Sequence, residues 1–187
     1  RLILRTDAML ESMPHFLAAC AQQEISVLDL PTAFWHELVF SLHQSGNRLP
    51  DSVRLVIIGG EAARPQQVQQ WRECVDQRVT LLNTYGPTET TIWSSCADVE
   101  NSGNAAVPVG RPLPNQRFLV LDRRDQRLPP GVPGELVIAG AGVVPGYHLR
   151  PDLTAERFPT LADGGRCYRT GDLARWRSDG AIELLGR

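Results

Sequence analysis

Residues 83–91 read Asn83-Thr84-Tyr85-Gly86-Pro87-Thr88-Glu89-Thr90-Thr91, a strand end, a Gly-Pro turn and a row of hydroxyls around one carboxylate. Thr88, Thr90 and Thr91 can donate hydrogen bonds to phosphate oxygens. Glu89 can hold Mg²⁺, a hard cation that prefers carboxylates and substrate phosphates. Tyr85 offers a flat face on which a base can stack. The same residues would also serve as a polar turn with a helix cap, and taken alone they leave both readings open.

The elements that must position this stretch alternate in the first half of the chain. Ser12 can cap a helix with Pro14 in its first turn, running to Gln23. Residues 1–4 and 26–30 read as strands. Thr32 can cap a second helix, with Phe34, Trp35, Leu38, Val39 and Leu42 on one face and Gly46 and Pro50 at its end. Residues 53–58 are an apolar run suited to a buried parallel strand. Pro65 opens a third helix with Val68, Trp71 and Val75 on one face. Residues 79–82 give a further strand. This order predicts a parallel sheet flanked by helices. Ligands of such sheets bind beyond the carboxyl ends of the strands. Gly59-Gly60-Glu61 and 83–89 occupy those places; the first is equally consistent with a plain turn.

After the turn-rich break at 101–104 the pattern changes to short strand-like runs at 117–121, 135–139, 167–169, 173–177 and 181–185. Pro129-Pro130-Gly131 and Asp179-Gly180 are turn signals. The expected architecture is therefore α/β. A flavodoxin-like subdomain over 1–100 is followed by a small antiparallel β-barrel-like subdomain over 101–187. Gly140-Ala141-Gly142-Val143-Val144-Pro145-Gly146 is rejected as a dinucleotide fingerprint, because its spacing is wrong and Pro145 and Pro151 leave no room for the receiving helix.

Composition narrows the function classes. The 187 residues are 42% hydrophobic and 21% charged, with a formal net charge of -2. No basic run favours nucleic acid or anionic membrane as a partner, and no apolar stretch reaches the ~18 residues of a membrane span. Cys20, Cys74, Cys96 and Cys167 are scattered, as are His15, His36, His43 and His148, so neither disulfides nor a zinc site are expected and a cytoplasmic setting is. The abrupt strand-like ends read as those of a fragment.

Four stretches in one order carry a resemblance. The first is 83–91. The second runs from Gly134-Glu135-Leu136-Val137-Ile138 through Gly140, Gly142 and Gly146-Tyr147 to Arg150-Pro151-Asp152-Leu153-Thr154-Ala155-Glu156-Arg157-Phe158. The third is Tyr168-Arg169-Thr170-Gly171-Asp172-Leu173, and the fourth is Asp179-Gly180 with Gly186-Arg187. Val109-Gly110-Arg111-Pro112 with Val120-Leu121-Asp122 fits as well. Together they resemble the adenylation domains of nonribosomal peptide synthetases, within the adenylate-forming, AMP-binding superfamily. The chain departs from that pattern at Val144-Pro145 and His148-Leu149.

The resemblance implies an ATP-dependent ligase. An amino acid would react with ATP to aminoacyl-AMP and pyrophosphate, and the acyl group would pass to a phosphopantetheine thiol. The partners implied are the carrier-protein and condensation domains of one assembly line. Tyr85 would stack on adenine, Asn83 would lie near its amino edge, and Gly59, Gly60 and Gly86 would shape the nucleotide site. Thr88 would approach the α-phosphate, Glu89 would hold Mg²⁺, and Asp172 would accept from both ribose hydroxyls beside Arg187. A carboxylate is a natural acceptor for a vicinal diol, although Thr-Gly-Asp also suits a turn and Arg187 a solvated terminus.

Asp29, Val56, Ile58, Thr84, Ile92 and Trp93 match the substrate-pocket positions. A buried Asp29 would need a partner, such as a cationic substrate side chain. Core packing is the other reading of Val56, Ile58 and Ile92. The resemblance further implies a phosphate loop before Arg1, a pocket aspartate, and a C-terminal subdomain bearing a lysine after Arg187. The piece alone is therefore expected to lack adenylation activity. An acyl- or aryl-CoA ligase and a non-catalytic nucleotide-binding module are the alternatives.

Overall fold

The computed structural model describes residues 1–99, 106–161 and 164–187; the break at 101–104 lies outside the described residues. Two compact units result. The first is Arg1–Asn83 with Asp98–Val107, and the second is Thr84–Ala97 with Pro108–Arg187. The expected division falls at residue 100, whereas contacts group residues 84–97 with the second unit.

In the first unit Ser12 accepts from the His15 backbone N–H at 3.4 Å and caps helix α1, Met13–Gln22. Strand β1 (Val27–Pro31) leads into α2 (Thr32–Ser45), which stops at Gly46 in the left-handed conformation. Strand β2 (Leu55–Gly59), helix α3 (Pro65–Cys74) and strand β3 (Thr80–Tyr85, whose last two residues enter the second unit) follow. β1 and β2 pair in parallel from Val27↔Leu55 to Pro31↔Gly59, and β2 lies between β1 and β3. Trp35 and Trp71 are almost wholly buried, with ring centroids 6.0 Å apart. Leu38, Val39, Val56, Ile58 and Leu81 complete the same core.

Two local expectations change here. Pro31, not Thr32, occupies the N-cap of α2. The buried Thr32 hydroxyl is instead shared between the carbonyls of Gly59 at 3.0 Å and Glu61 at 3.2 Å, tying the start of α2 to the turn after β2. Residues 1–4 form no strand, and Leu2 and Leu4 are exposed. A strand needs a ladder partner for its backbone groups, and none of the described strands pairs with them.

In the second unit β4 (Ser95–Asp98, its last residue in the first unit) pairs antiparallel with β5 (Arg111–Pro112). β6 (Gln116–Leu121), β7 (Gly134–Gly140), β8 (Cys167–Trp176) and β9 (Ile182–Gly186) form a four-stranded antiparallel sheet in that order. The barrel-like expectation thus takes the form of a four-stranded sheet buried on both sides. Phe118, Val120, Leu136, Ile138, Ala174 and Ile182 belong to one apolar cluster, and Leu119, Leu121, Val137, Ala139 and Cys167 to another. This alternation along the strands is the period-two pattern of a sheet covered on each face.

The runs 167–169 and 173–177 are one strand interrupted by a bulge, not two strands. Pro151 does not exclude a helix either. It begins α4, Pro151–Arg157, at a position where its missing N–H costs nothing. Asp179-Gly180 makes the expected hairpin turn, with Arg177 N–H on the Ala181 carbonyl at 2.8 Å. All four cysteines are free, and burial raises the Cys20 thiol to about 11. Among the described residues no helix is long and apolar enough to cross a membrane.

Candidate functional site

The bulge in β8 places the central carboxylate. Thr170, Gly171 and Asp172 stand opposite Leu136 alone, between the pairs Val137↔Arg169 and Glu135↔Leu173. Thr170 is buried; its hydroxyl donates to the Leu136 carbonyl at 2.7 Å and accepts from the Asp172 N–H at 3.0 Å. Glu135 accepts from the Gly171 N–H at 3.2 Å and pairs with Arg169. Gly171 lies at φ +72°, a conformation in which a β-carbon is strained. These bonds give partners to the Leu136 carbonyl and to the Gly171 and Asp172 N–H groups at the bulge.

Asp172 is thereby turned toward two donors. The Tyr85 hydroxyl reaches its Oδ2 at 2.6 Å, and the Arg187 Nε reaches its Oδ1 at 2.8 Å. Burial first, then the hydrogen bond to Asp172, pushes the Tyr85 phenol well above its ordinary value, so it remains a donor. The Tyr85 ring packs edge-on against Phe118 with centroids 6.5 Å apart. Each carboxylate oxygen has two lone pairs, so Asp172 retains capacity for a vicinal diol.

Tyr85 is followed by a tight reversal. A β-carbon on Gly86 would meet the Ser94 nitrogen at 2.7 Å and the Ile92 carbonyl carbon at 2.9 Å, so the backbone passes too closely for any side chain. Thr88–Thr90 forms a 3-10 turn. The buried Thr90 hydroxyl bonds the Ser94 hydroxyl at 2.6 Å, and Ser94 N–H donates to the Tyr85 carbonyl at 2.8 Å. Thr91 and Ile92 sit at φ 63° and 68°. Both are β-branched, and such a conformation costs about 1–3 kcal/mol per residue. Thr91 is held there by its hydroxyl, which donates to the Gly142 carbonyl at 2.8 Å.

Glu89 projects from the 3-10 turn and its Oε1 accepts from the Tyr147 hydroxyl at 2.5 Å. Burial works to raise its carboxyl. Hydrogen bonds from Tyr147, its own backbone and Tyr168, with the charge of Arg187, outweigh burial and hold it below the ordinary carboxylate range. It is therefore ionised at neutral pH. Among the described residues no three His, Cys, Asp or Glu gather as a metal cage. A lone ionised carboxylate is the donor set suited to Mg²⁺ that arrives largely on substrate phosphates.

The structure thus gathers Tyr85, Gly86, Glu89, Asp172 and Arg187 in one unit, with Thr88 exposed on the same turn. In the first unit Asn83 is buried near the end of β3, Gly59 ends β2, and Gly60 is exposed at φ +88°. The six proposed pocket positions are not alike. Asp29 is exposed, so the cost of burying an unpaired carboxylate does not arise. It pairs in register with Ile57, whereas Val56 and Ile58, one position on either side, are fully buried in the core. Thr84 is buried, while Ile92 and Trp93 are exposed.

The roles of Thr32, Thr170 and Tyr147 do not follow from sequence spacing. For Tyr147 a signal exists: Gly146-Tyr147 and Tyr168 both lie in stretches that carry the resemblance, with no chemistry attached to them.

The chain is 45% identical over its whole length to an isonitrile lipopeptide synthase of Streptomyces coeruleorubidus, covering 12% of that protein. It is 44% identical over 93% of its length to a dimodular nonribosomal peptide synthase of Bacillus subtilis (strain 168), covering 7% of it. The chain thus spans a small part of these relatives. Among solved structures, PA1221, an NRPS protein containing adenylation and PCP domains, matches 93% of the chain with a TM-score of 0.83 and 26% identity, over 35% of its own length. The family description "AMP-binding enzyme" matches residues 1–148, and the chain belongs to that family.

Proposed function

We propose that the chain is the central part of an adenylation domain that activates an amino acid with ATP. The observation that carries this reading is the Asp172 carboxylate, set on a pinned bulge between the Tyr85 hydroxyl and the Arg187 guanidinium. It is a preorganised acceptor for the ribose diol, beside an aromatic face for the base. Thr88 supplies a hydroxyl toward the α-phosphate. Glu89 would hold Mg²⁺, which would supply neutralisation of phosphate charge.

The substrate carboxylate oxygen attacks the α-phosphorus. The bond to the β-phosphate bridging oxygen breaks, giving aminoacyl-AMP and pyrophosphate. A phosphopantetheine thiol on a carrier domain then attacks the acyl carbon and AMP leaves. No side chain of this chain becomes covalently attached; its work is positioning and charge stabilisation. Carrier and condensation domains of one assembly line are the partners, in the cytoplasm where ATP is available. Asp29, exposed on β1, is the candidate to meet a donor or cation on the substrate side chain.

Amino-acid-dependent ATP–pyrophosphate exchange by the intact synthetase, across amino, fatty and aryl acids, tests the reading. Exchange with one or a few amino acids supports it. Exchange only with other acids moves the protein to the acyl- or aryl-CoA ligases, and no exchange makes it a non-catalytic module. An Asp29→Ala variant that keeps its preference among amino acids would remove Asp29 from the pocket.

A further inference from the structure

The loop between β7 and α4 is fastened to the turn that carries Glu89. Val144 N–H donates to the Glu89 carbonyl at 3.0 Å, and the Gly142 carbonyl accepts from Thr91. A β-carbon on Gly142 would meet the Thr90 carbonyl at 2.8 Å, so the two backbones touch. Further along the loop comes Tyr147. Its N–H is held by the Thr154 hydroxyl at 3.0 Å, and its ring packs edge-on against Phe158 at 5.3 Å. Phe158 in turn packs against Tyr168 at 5.1 Å. The Tyr147 hydroxyl donates to Glu89 Oε1 at 2.5 Å.

We infer that Tyr147 is a positioning residue for the phosphate and metal chemistry, aiming the Glu89 carboxylate by engaging one of its oxygens. This inference rests on the reading of Glu89 as the Mg²⁺ ligand. A glutamate side chain on a three-residue turn has several rotamers, and a donor on Oε1 selects one of them. Losing the partner that orients a metal ligand typically costs about 10–100-fold in metal affinity or activity. Tyr168 joins the same network through hydrogen bonds to Tyr147 and Glu89.

The test compares Tyr147→Phe, Glu89→Gln and the double variant in the intact synthetase. Mn²⁺ binding is read by electron paramagnetic resonance in the presence of a non-hydrolysable ATP analogue. Analogue binding without metal and exchange kinetics are measured alongside. Tyr147→Phe keeps the ring and its packing. It is expected to weaken Mn²⁺ binding about tenfold and to lower kcat, with metal-free analogue binding unchanged. Added to Glu89→Gln it is expected to change Mn²⁺ binding by less than about twofold, because both substitutions remove one unit. If Glu89→Gln weakens Mn²⁺ binding and Tyr147→Phe does not, the inference is overturned and the Glu89 reading stands. A full additive loss in the double variant also overturns it, since Tyr147 would then act elsewhere. If Glu89→Gln itself leaves Mn²⁺ binding intact, the reading of Glu89 fails and the inference with it.

Discussion

The two units solve the folding problem by different means. In the first, large apolar side chains fill one core between helices and a parallel sheet, with Trp35 and Trp71 at its centre. In the second, two thinner apolar clusters accompany an antiparallel sheet, and a polar network of tyrosines, carboxylates and arginines governs how the strands and loops meet. The irregular backbone near the candidate site also belongs to the second unit, in the Thr91-Ile92 conformation and the β8 bulge. Apolar bulk is non-directional, so it fixes a fold without fixing any one atom. Hydrogen bonds and backbone strain fix directions, and the second unit uses them around the Asp172 and Glu89 carboxylates.

Substitutions can break this contrast. Trp35→Ala removes the centre of the first core and is expected to cost about 3–5 kcal/mol, measured by chemical denaturation of the intact protein. Asp172→Asn should barely move that stability. It should instead weaken ATP-analogue binding by about 1.5–3 kcal/mol, the range of a hydrogen bond to a charged group, read by calorimetry. A loss of stability as large as that of Trp35→Ala would mean that Asp172 is a folding residue.

Thr170→Val sharpens the comparison, because it keeps shape and removes the pin of the bulge. The Leu136 carbonyl and the Asp172 N–H lose their partner. The expected cost is about 1–3 kcal/mol of stability, with nucleotide affinity falling alongside. Unchanged affinity would show that the bulge holds its shape without Thr170.

The smallest effect is a pH dependence. The Tyr85 phenol is raised in the folded state, mainly by burial. Its contribution is fully present below the ordinary phenol value of 10.0 and is lost as pH rises toward the higher folded value, because the unfolded chain then binds fewer protons. Denaturation midpoints above that pH should fall less steeply in Tyr85→Phe than in the parent. Equal slopes would place Tyr85 in a solvated setting.

Much of the architecture was legible because the hydrophobic period is a strong signal. Phe34, Trp35, Leu38, Val39 and Leu42 mark α2, and residues 117–121 and 135–139 mark β6 and β7 within a residue or two. The failures have physical causes. Thr32 looked like a cap because hydroxyls favour that position, but a tertiary partner, the turn after β2, captured it. Residues 167–177 looked like two strands because Gly171-Asp172 has turn chemistry; the long-range bonds to Leu136 and Glu135 turned that chemistry into a bulge. Pro151 looked like a breaker and is a helix starter, a distinction that depends on which turn of a helix it enters. At the candidate site, Tyr85, Glu89 and Asp172 were legible through the resemblance. Tyr147 was not, since nothing in its spacing shows that its hydroxyl ends on a residue 58 positions away.

The chain passes between its two units at 83/84, 97/98 and 107/108. Recombination therefore has no single crossover point that exchanges one unit whole. A graft joined at residue 100 would transplant the 84–97 segment, with Tyr85 and Glu89, while leaving Tyr147 and Asp172 to the host. Chimeras that swap 84–97 together with 108–187 should retain matched contacts, and those cut once should inherit half of a hydrogen-bond network from each parent.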